Sequence, residues 1–150
     1  MRYGVPYNCG PYGLAYNTKV VKQAPTSWNI FFEPQYKGKY TLNNNFPKCN
    51  IWVSALALGY SYEEMFDISK MDRKKVQERL NLLVKNAKSL WDGAADPKEF
   101  PQLSLATTWG FAAQKANLKG GKWLLALWRV MDEKTVTAFA EMWAEAKKLR

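Results

Sequence analysis

The strongest periodic pattern in the chain lies between Asp72 and Trp91. Apolar residues recur there every three or four positions, and charged residues fill the positions between them, which is typical of an amphipathic α-helix. We therefore predict one helix across the whole of this range. Its apolar stripe comprises Val76, Leu80, Leu83, Val84, Ala87, Leu90 and Trp91.

A short helix is predicted before Pro34, with Ser27 or Thr26 as its N-cap and with Phe31 and Phe32 packed inward. The next helix signal follows a loop of asparagines. It is an apolar run that closes on a glycine, as buried helices commonly do. This predicted helix covers Cys49–Leu58 and ends at Gly59.

Two more helix starts carry capping signals. Ser61 and Glu64 have the spacing of a capping box, in which each side chain accepts a hydrogen bond from the other residue's backbone N–H. Asp132 is expected to cap a final helix. The apolar stripe of that helix is predicted to comprise Val136, Phe139, Ala140, Trp143 and Ala146.

Four short segments are predicted to form strands, because apolar or β-branched residues are bounded there by turn residues. Helices alternate with them, and a further short helix is expected over Phe111–Leu118. This order is typical of a mixed α/β fold with a partly parallel sheet flanked by helices, in one domain over 1–150. The predicted strands are Tyr12–Tyr16, Lys37–Leu42 after an opening turn, Leu103–Thr108 and Lys122–Trp128.

Composition supports a compact folded domain. Hydrophobic residues make up 47% of the chain and aromatic residues 15%, which argues against a disordered protein. A chain of this length buries roughly 70% of its unfolded surface on folding, so a hydrophobic core suffices for stability.

Charge leaves two interpretations open. Lysine and arginine number 22 against 13 acidic residues, a net charge of +9, and such an excess can attract nucleic acid, anionic lipid or an acidic protein. The basic residues are scattered, and the densest groups, at 73–75 and 147–150, fall where a helix has its solvated face. A solvated surface is the favoured interpretation. The alternative is a basic module that binds nucleic acid or an acidic protein partner.

The inventory of reactive side chains argues against an enzyme. There is no histidine, which excludes a histidine-based triad or metal site. The two cysteines, Cys9 and Cys49, form no metal-binding motif, and whether they pair is left open. Glu63 and Glu64 look like a capped helix start, not a tuned acid–base pair. We therefore predict no catalytic residue, no cofactor and no metal.

No segment reaches the roughly 18 to 20 apolar residues of a membrane-spanning helix. The N-terminus also lacks the basic, apolar and small-residue order of a signal peptide. We therefore expect neither a membrane span nor a signal peptide in this chain.

Candidate binding residues lie where predicted strands end, because ligands of α/β sheets gather at the carboxyl ends of strands. Three segments stand there: Asn8–Tyr12, Asn43–Asn45 and Thr107–Phe111. Their amides, hydroxyls and aromatic faces suit a small polar or cationic solute. The plainer alternatives are turn residues for the asparagines and core packing for Trp109. Packing is the role we assign to Trp52, Trp91, Trp123, Trp128 and Trp143.

Several motifs occur in the order found in one known family. Val5–Asn17 resembles the crossover segment of periplasmic polyamine-binding proteins, the solute-binding proteins of spermidine/putrescine ABC transporters. Pro25–Trp28 and Pro34–Lys39 are similar to that family's Pro-x-Ser-Trp and Pro-x-Tyr-Lys-Gly-Lys signatures. Ala55–Ser61 resembles its helix end, and Thr108–Gly110 its strand-end tryptophan.

This resemblance, which spans residues 3–126, implies a type II periplasmic-binding-protein fold, in which two lobes joined by crossover strands enclose the ligand. The chain then supplies a single lobe, the second, as an excised or truncated module. It divides into a crossover segment at 3–17, a main lobe at 18–128 and a C-terminal helix at 132–148. The implied partners are the first lobe and an ABC permease, at a periplasmic or extracellular location. Whether a lone lobe associates with itself to cover its exposed cleft face is left open.

The resemblance therefore implies a non-catalytic solute-binding lobe of an ABC importer, in which Trp109 stacks on the solute. Polyamine receptors resemble one another in placing acidic residues where Asn43–Asn45 stand here, and a neutral amide cannot supply the same charge-assisted bond. The solute is thus left open between a polyamine and another small polar molecule. The predicted ligand-binding residues are Asn8, Cys9, Gly10, Tyr12, Asn43, Asn44, Asn45, Trp109 and Gly110.

Overall fold

The structure is a computed structural model that describes residues 12–92, 103–109 and 131–150. Its centre is a four-stranded sheet with the spatial order β1-β4-β2-β3. Strand β2 lies parallel to both of its neighbours, β3 and β4, whereas β1 is antiparallel to β4. The predicted mixed, partly parallel sheet is therefore confirmed. The strands are β1 Tyr12–Tyr16, β2 Tyr40–Asn43, β3 Ser89–Trp91 and β4 Leu105–Trp109.

Three α-helices pack against one another and against the sheet. They are α1 Pro47–Ala57, α2 Arg73–Asn86 and α3 Glu133–Lys147. Short 3-10 helices connect the larger elements. These are Trp28–Phe32, Pro34–Tyr36, Glu64–Phe66 and Ile68–Lys70.

Helix α1 is the central helix of the described fold. It begins with Pro47, whose missing N–H costs nothing at a helix start, and it ends before Gly59, whose φ of +92° favours glycine. Nearly every side chain between these ends is buried, because α1 contacts both other helices as well as β2. The predicted buried helix is confirmed. Its buried residues are Cys49, Asn50, Ile51, Trp52, Val53, Ser54, Ala55 and Ala57.

The helix predicted from Asp72 to Trp91 is correct over its first part and wrong at its end. The Asp72 side chain accepts a hydrogen bond of 3.1 Å from the Lys75 N–H and caps the start. The helix stops at Asn86, and Ser89–Trp91 forms strand β3 instead. The reason is a partner distant in sequence: Thr41 of β2 donates to the Ser89 carbonyl oxygen at 2.9 Å, and β2 supplies the backbone hydrogen bonds.

Helix α3 is confirmed, but its buried face is turned relative to the prediction. Asp132 caps it as expected, accepting from the Thr135 N–H at 2.7 Å. Val136 is 50% exposed and Ala140 is also exposed, so both were wrongly placed in the stripe. The helix turns this way because it packs against α2. Its buried residues are Thr135, Ala138, Phe139, Met142, Trp143 and Ala146.

The two other capping predictions are confirmed in detail. The Ser27 hydroxyl accepts from the Asn29 N–H at 3.2 Å, although the short helix it caps is a 3-10 helix. In the Ser61 and Glu64 box, the two reciprocal hydrogen bonds measure 2.7 and 3.3 Å. The segment that follows is a single 3-10 turn, so a capping box marks a helical start without fixing the length of the helix.

The core lies between one face of the sheet and the helices. Leu14, Tyr40, Leu42 and Leu105 join the buried cluster that the three helices form. Tyr40 is fully buried, and its hydroxyl donates to the Leu83 carbonyl oxygen at 2.6 Å, which ties β2 to α2. The packing role assigned to three of the tryptophans is confirmed. Trp52, Trp91 and Trp143 are 5–8% exposed.

Some predictions lie outside the described residues. They include the helix over Phe111–Leu118 and the strand over Lys122–Trp128, together with Trp123 and Trp128. The division of the chain into segments at 3–17, 18–128 and 132–148 also stays a prediction. Among the described helices, none combines the length and the hydrophobicity needed to cross a membrane.

Thr135 is predicted to hold α3 in place through one buried hydrogen bond. Its hydroxyl accepts from the Ile68 N–H at 3.1 Å, and the Thr135 side chain is fully buried. Thr135→Val keeps the shape but leaves this donor unsatisfied, so it should lower the free energy of unfolding by about 1–3 kcal/mol. Thr135→Ser, which keeps the hydroxyl, should cost less. Urea denaturation of both variants measures the difference, and equal losses would exclude the hydrogen bond as the cause.

The Asp132 cap should make the stability of the protein depend on pH. Hydrogen bonds from Thr135 lower the pKa of the Asp132 carboxyl below its ordinary value. A carboxyl with a depressed folded pKa stabilises the protein above its unfolded pKa, and that contribution is lost as pH falls through the folded value. Asp132→Ala should therefore lower the Tm at neutral pH, and the gap from the unmodified chain should close below about pH 4. A gap that is independent of pH contradicts this role.

Candidate functional site

The parallel pairing brings the ends of three strands to one side of the sheet. Asn43, Trp91 and Trp109 are the last residues of β2, β3 and β4. The first residue of the antiparallel strand β1, Tyr12, pairs with Trp109 and lies at the same side. We call this side the carboxyl edge. It comprises Tyr12, Asn43–Asn45, Trp91, Asp92 and Trp109, and ligands of α/β sheets commonly bind at such an edge.

Asn43 is the most constrained residue of the carboxyl edge. It was predicted to lie in a polar loop after the strand, but it is the last residue of β2 and is 0% exposed. Its side-chain oxygen accepts from the backbone N–H groups of Asn45 at 2.8 Å and Phe46 at 3.3 Å. These two bonds fix the orientation of the amide. The amide thereby turns the chain from the strand into α1.

A second asparagine reaches the same point from α1. The Asn50 amide nitrogen donates to the Asn43 carbonyl oxygen at 2.7 Å, and the Asn43 N–H donates to the Thr107 hydroxyl at 3.3 Å. Helix α1 and strand β4 are thereby tied to the end of β2. Asn50 was predicted only as part of the apolar helix run, because the sequence does not show which side chain of α1 faces the end of β2.

Some buried polar atoms at this edge have no hydrogen-bond partner among the described residues. They are the amide nitrogen of Asn43, the amide oxygens of Asn44 and Asn50 and the indole nitrogen of Trp91. Asn43 and Trp91 are partners in the register of β2 and β3, so their side chains leave the sheet on the same face. Unsatisfied buried donors are costly, and a bound molecule or water with an oxygen acceptor would satisfy them.

The edge also carries a carboxylate that the sequence analysis missed. The Asn44 N–H donates to the Trp91 carbonyl oxygen at 2.9 Å, and the Asn44 amide nitrogen donates to an Asp92 carboxylate oxygen at 2.8 Å. Asp92 is exposed and directly follows β3. It was overlooked because Leu90 and Trp91 were taken as the end of a helix, which concealed a strand end.

Two weakly acidic groups beside the edge are held in their neutral forms. Burial raises the pKa of the Tyr12 hydroxyl well above its usual range, nearby Cys49 raises it further, and a hydrogen bond with Thr107 acts in the opposite direction. Burial likewise raises the pKa of the Cys49 thiol to about 12, against the attraction of Lys48. Neither group is an anion at neutral pH, so neither has the character of an activated nucleophile.

The structure thus brings five predicted site residues together at the carboxyl edge: Tyr12, Asn43, Asn44, Asn45 and Trp109. The other four lie outside the described residues: Asn8, Cys9, Gly10 and Gly110. Ligand binding by all nine stays a prediction. Asp92, Asn50 and Thr107 are additional polar groups at or beside this edge.

No group of three or more metal-ligating side chains occurs among the described residues.

One surface cavity of about 850 Å³ lies away from the carboxyl edge, between the start of α3 and the turn at Ile68–Lys70. It is lined by the exposed ion pair of Arg73 and Glu141, whose atoms lie 2.7 Å apart. The polar groups of the carboxyl edge can donate and accept hydrogen bonds, which is the chemistry of binding.

The fold is similar to that of several solved bacterial proteins. The spermidine/putrescine ABC transporter substrate-binding protein PotD from Streptococcus pneumoniae, solved with calcium and HEPES, is 17% identical, with a TM-score of 0.63 over 95% of this chain. The TpPotD lipoprotein of Treponema pallidum is 18% identical, with a TM-score of 0.58 over 92% of this chain. The periplasmic binding protein MotA from A. tumefaciens, in complex with glucopine, is 19% identical, with a TM-score of 0.59 over 93%.

The chain covers 47%, 38% and 51% of those three proteins, so it spans about half of their length or less. These likenesses show that it has the fold of one part of a periplasmic binding protein, which confirms the predicted fold class. No curated protein sequence matches the chain. Residues 1–131 match the family described as bacterial extracellular solute-binding protein, and the chain therefore belongs to that family.

Proposed function

We propose that this chain is a solute-binding lobe of an ABC-importer receptor and that its carboxyl edge contacts the solute. The observation that carries the proposal is the fully buried Asn43 amide, which is held in one orientation with its nitrogen unsatisfied among the described residues. Membership of the solute-binding family supports the same function. In the intact receptor, the first lobe completes the cleft, and binding closes the two lobes around the solute.

The chemistry of the edge favours binding over catalysis. Tyr12 and Cys49 are neutral, and the chain has no histidine to act as a general base. The described polar groups at the edge are amides, hydroxyls and one carboxylate. They can orient a polar molecule, but they do not pair a nucleophile with a base. We accordingly propose a non-catalytic receptor. It lies outside the cytoplasmic membrane and delivers its solute to an ABC permease in that membrane.

The two kinds of polar group at the edge define the solute that we propose. The Asn43 amide and the Trp91 indole are donors, which call for an oxygen acceptor on the solute. Asp92 is an acceptor and suits an amine or a hydroxyl group. A bare diamine satisfies only the second requirement. We therefore favour a small molecule with both donors and acceptors, and a polyamine is the second choice that the resemblance supplies.

Calorimetric titration of the full chain with spermidine, putrescine, amino acids and small organic anions tests the function. We expect saturable binding with a Kd below roughly 100 µM, which corresponds to about −5.5 kcal/mol. Asn44→Ala and Trp109→Ala should each weaken that binding about tenfold or more, because the proposal assigns each of them a contact with the solute. Asn29→Ala, an exposed asparagine distant from the edge, is the matched control. Unchanged affinity in both edge variants would remove the edge from the site.

Asn43→Asp distinguishes the two classes of solute. An aspartate keeps the oxygen that accepts from Asn45 and Phe46, but it replaces the unsatisfied donor with an acceptor. Affinity for solutes that present an oxygen acceptor should fall about tenfold or more, whereas affinity for spermidine should rise through a charge-assisted bond. The same titration measures both. A fall in affinity for every solute would indicate a purely structural role for Asn43.

A further inference from the structure

Six basic residues converge at the end of the sheet opposite the carboxyl edge. Backbone bonds bring them together: the Gly38 N–H donates to the Asn86 carbonyl oxygen at 2.8 Å, and the Lys88 N–H donates to the Tyr40 carbonyl oxygen at 2.7 Å. The Arg150 guanidinium donates to the Lys88 carbonyl oxygen at 2.8 Å. We call this surface the basic pole. It comprises Lys37, Lys39, Lys85, Lys88, Lys148 and Arg150, all of them exposed.

Two helices, α2 and α3, end at the basic pole. Arg150, just beyond the end of α3, contacts Lys88, just beyond the end of α2, whereas Arg73 at the start of α2 contacts Glu141 near the middle of α3. The helix starts carry charges of both signs: Asp72, Asp132 and Glu133 lie there beside Arg73, Lys74, Lys75 and Lys134. The acidic residues Glu33 and Glu145 lie close in sequence to members of the pole, and Glu33 accepts a hydrogen bond from Gln35 at 2.8 Å.

The helix dipoles explain only part of this accumulation of positive charge. The carbonyl end of each helix carries about half a negative charge, so the ends of α2 and α3 together offset about one cation. Six cations are present. The cations outnumber this offset, so the pole presents a local excess of positive charge.

Exposed apolar side chains stand among these cations. Leu149 lies between two residues of the pole, Lys148 and Arg150, and is 49% exposed. Val20, which is 55% exposed, belongs to the turn that follows β1. That turn is attached to the same end of the sheet, because the Asn17 N–H donates to the Ser104 carbonyl oxygen at 2.9 Å and the Ser104 N–H to the Lys39 carbonyl oxygen at 2.8 Å.

We infer that the basic pole docks on the anionic phospholipid surface of a membrane. Cations around exposed apolar side chains match the boundary between lipid headgroups and acyl chains, where charge attracts and an apolar group inserts. Nucleic acid would contact the cations but would have no use for the apolar Leu149 side chain. The family also consists of extracellular proteins, which argues against nucleic acid as the partner. The pole and the carboxyl edge lie at opposite ends of β2, so docking leaves the edge open. Docking does not depend on which solute the edge takes.

Flotation of the full chain with vesicles tests this inference. We expect binding to phosphatidylglycerol mixed with phosphatidylcholine, little binding to phosphatidylcholine alone, and a steep loss with added salt. Lys37→Glu with Lys39→Glu should weaken vesicle binding about 25-fold or more, because each basic residue at an anionic membrane strengthens binding about fivefold. Lys70→Glu with Lys74→Glu, at exposed sites near the start of α2, changes the net charge equally and should weaken it far less.

Leu149→Ser separates a membrane from other polyanions. It leaves the charge unchanged, and it should weaken vesicle binding severalfold without altering retention on a short DNA duplex. Equal losses from the two lysine pairs would overturn the inference, because net charge alone would then explain binding. Pole-dependent binding to DNA with none to anionic vesicles would also overturn it. Circular dichroism and the Tm of each variant establish that the fold is retained.

Discussion

The pairing of β2 with two parallel neighbours is the constraint on which the rest of the structure depends. Parallel neighbours cannot be joined by a tight turn, so helices must carry the chain back across the sheet. Helix α2 does this between β2 and β3, and it contributes much of the core while doing so. The same pairing fixes where Asn43, Trp91 and Trp109 meet. The direction of the strands therefore sets the position of the candidate binding site, and the side chains set only its chemistry.

The fold was largely predictable because its strongest signals are local. The stripe of α2, the apolar run of α1 and the caps at Ser27, Ser61 and Asp132 each lie within a few residues of what they determine. Strand β3 was missed because three residues are too few to show a period, and Leu90 with Trp91 also fits a helical stripe. The buried side of α3 was predicted only in part. It depends on the position of α2, which the sequence near Val136 does not encode.

The position of the candidate site was more predictable than its chemistry. The rule that ligands gather at strand ends located Asn43–Asn45 and Trp109 from the sequence, and the structure places them at one edge together with Tyr12. Asp92 was missed because its strand was missed. Asn43 looked like one of three equivalent loop residues, whereas the backbone donors of Asn45 and Phe46 bury it and fix its orientation. Such differences between neighbouring identical residues depend on tertiary contacts.

Cys49 illustrates how this fold controls chemical reactivity. Only the thiolate form of a cysteine reacts readily with oxidants and disulfides. Burial raises the pKa of the Cys49 thiol to about 12, so the thiol is neutral at neutral pH. Burial in α1 further excludes reagents, so this sulfur tolerates an oxidising environment as long as the domain remains folded. The rate at which a thiol reagent modifies Cys49 consequently reports how often the core opens.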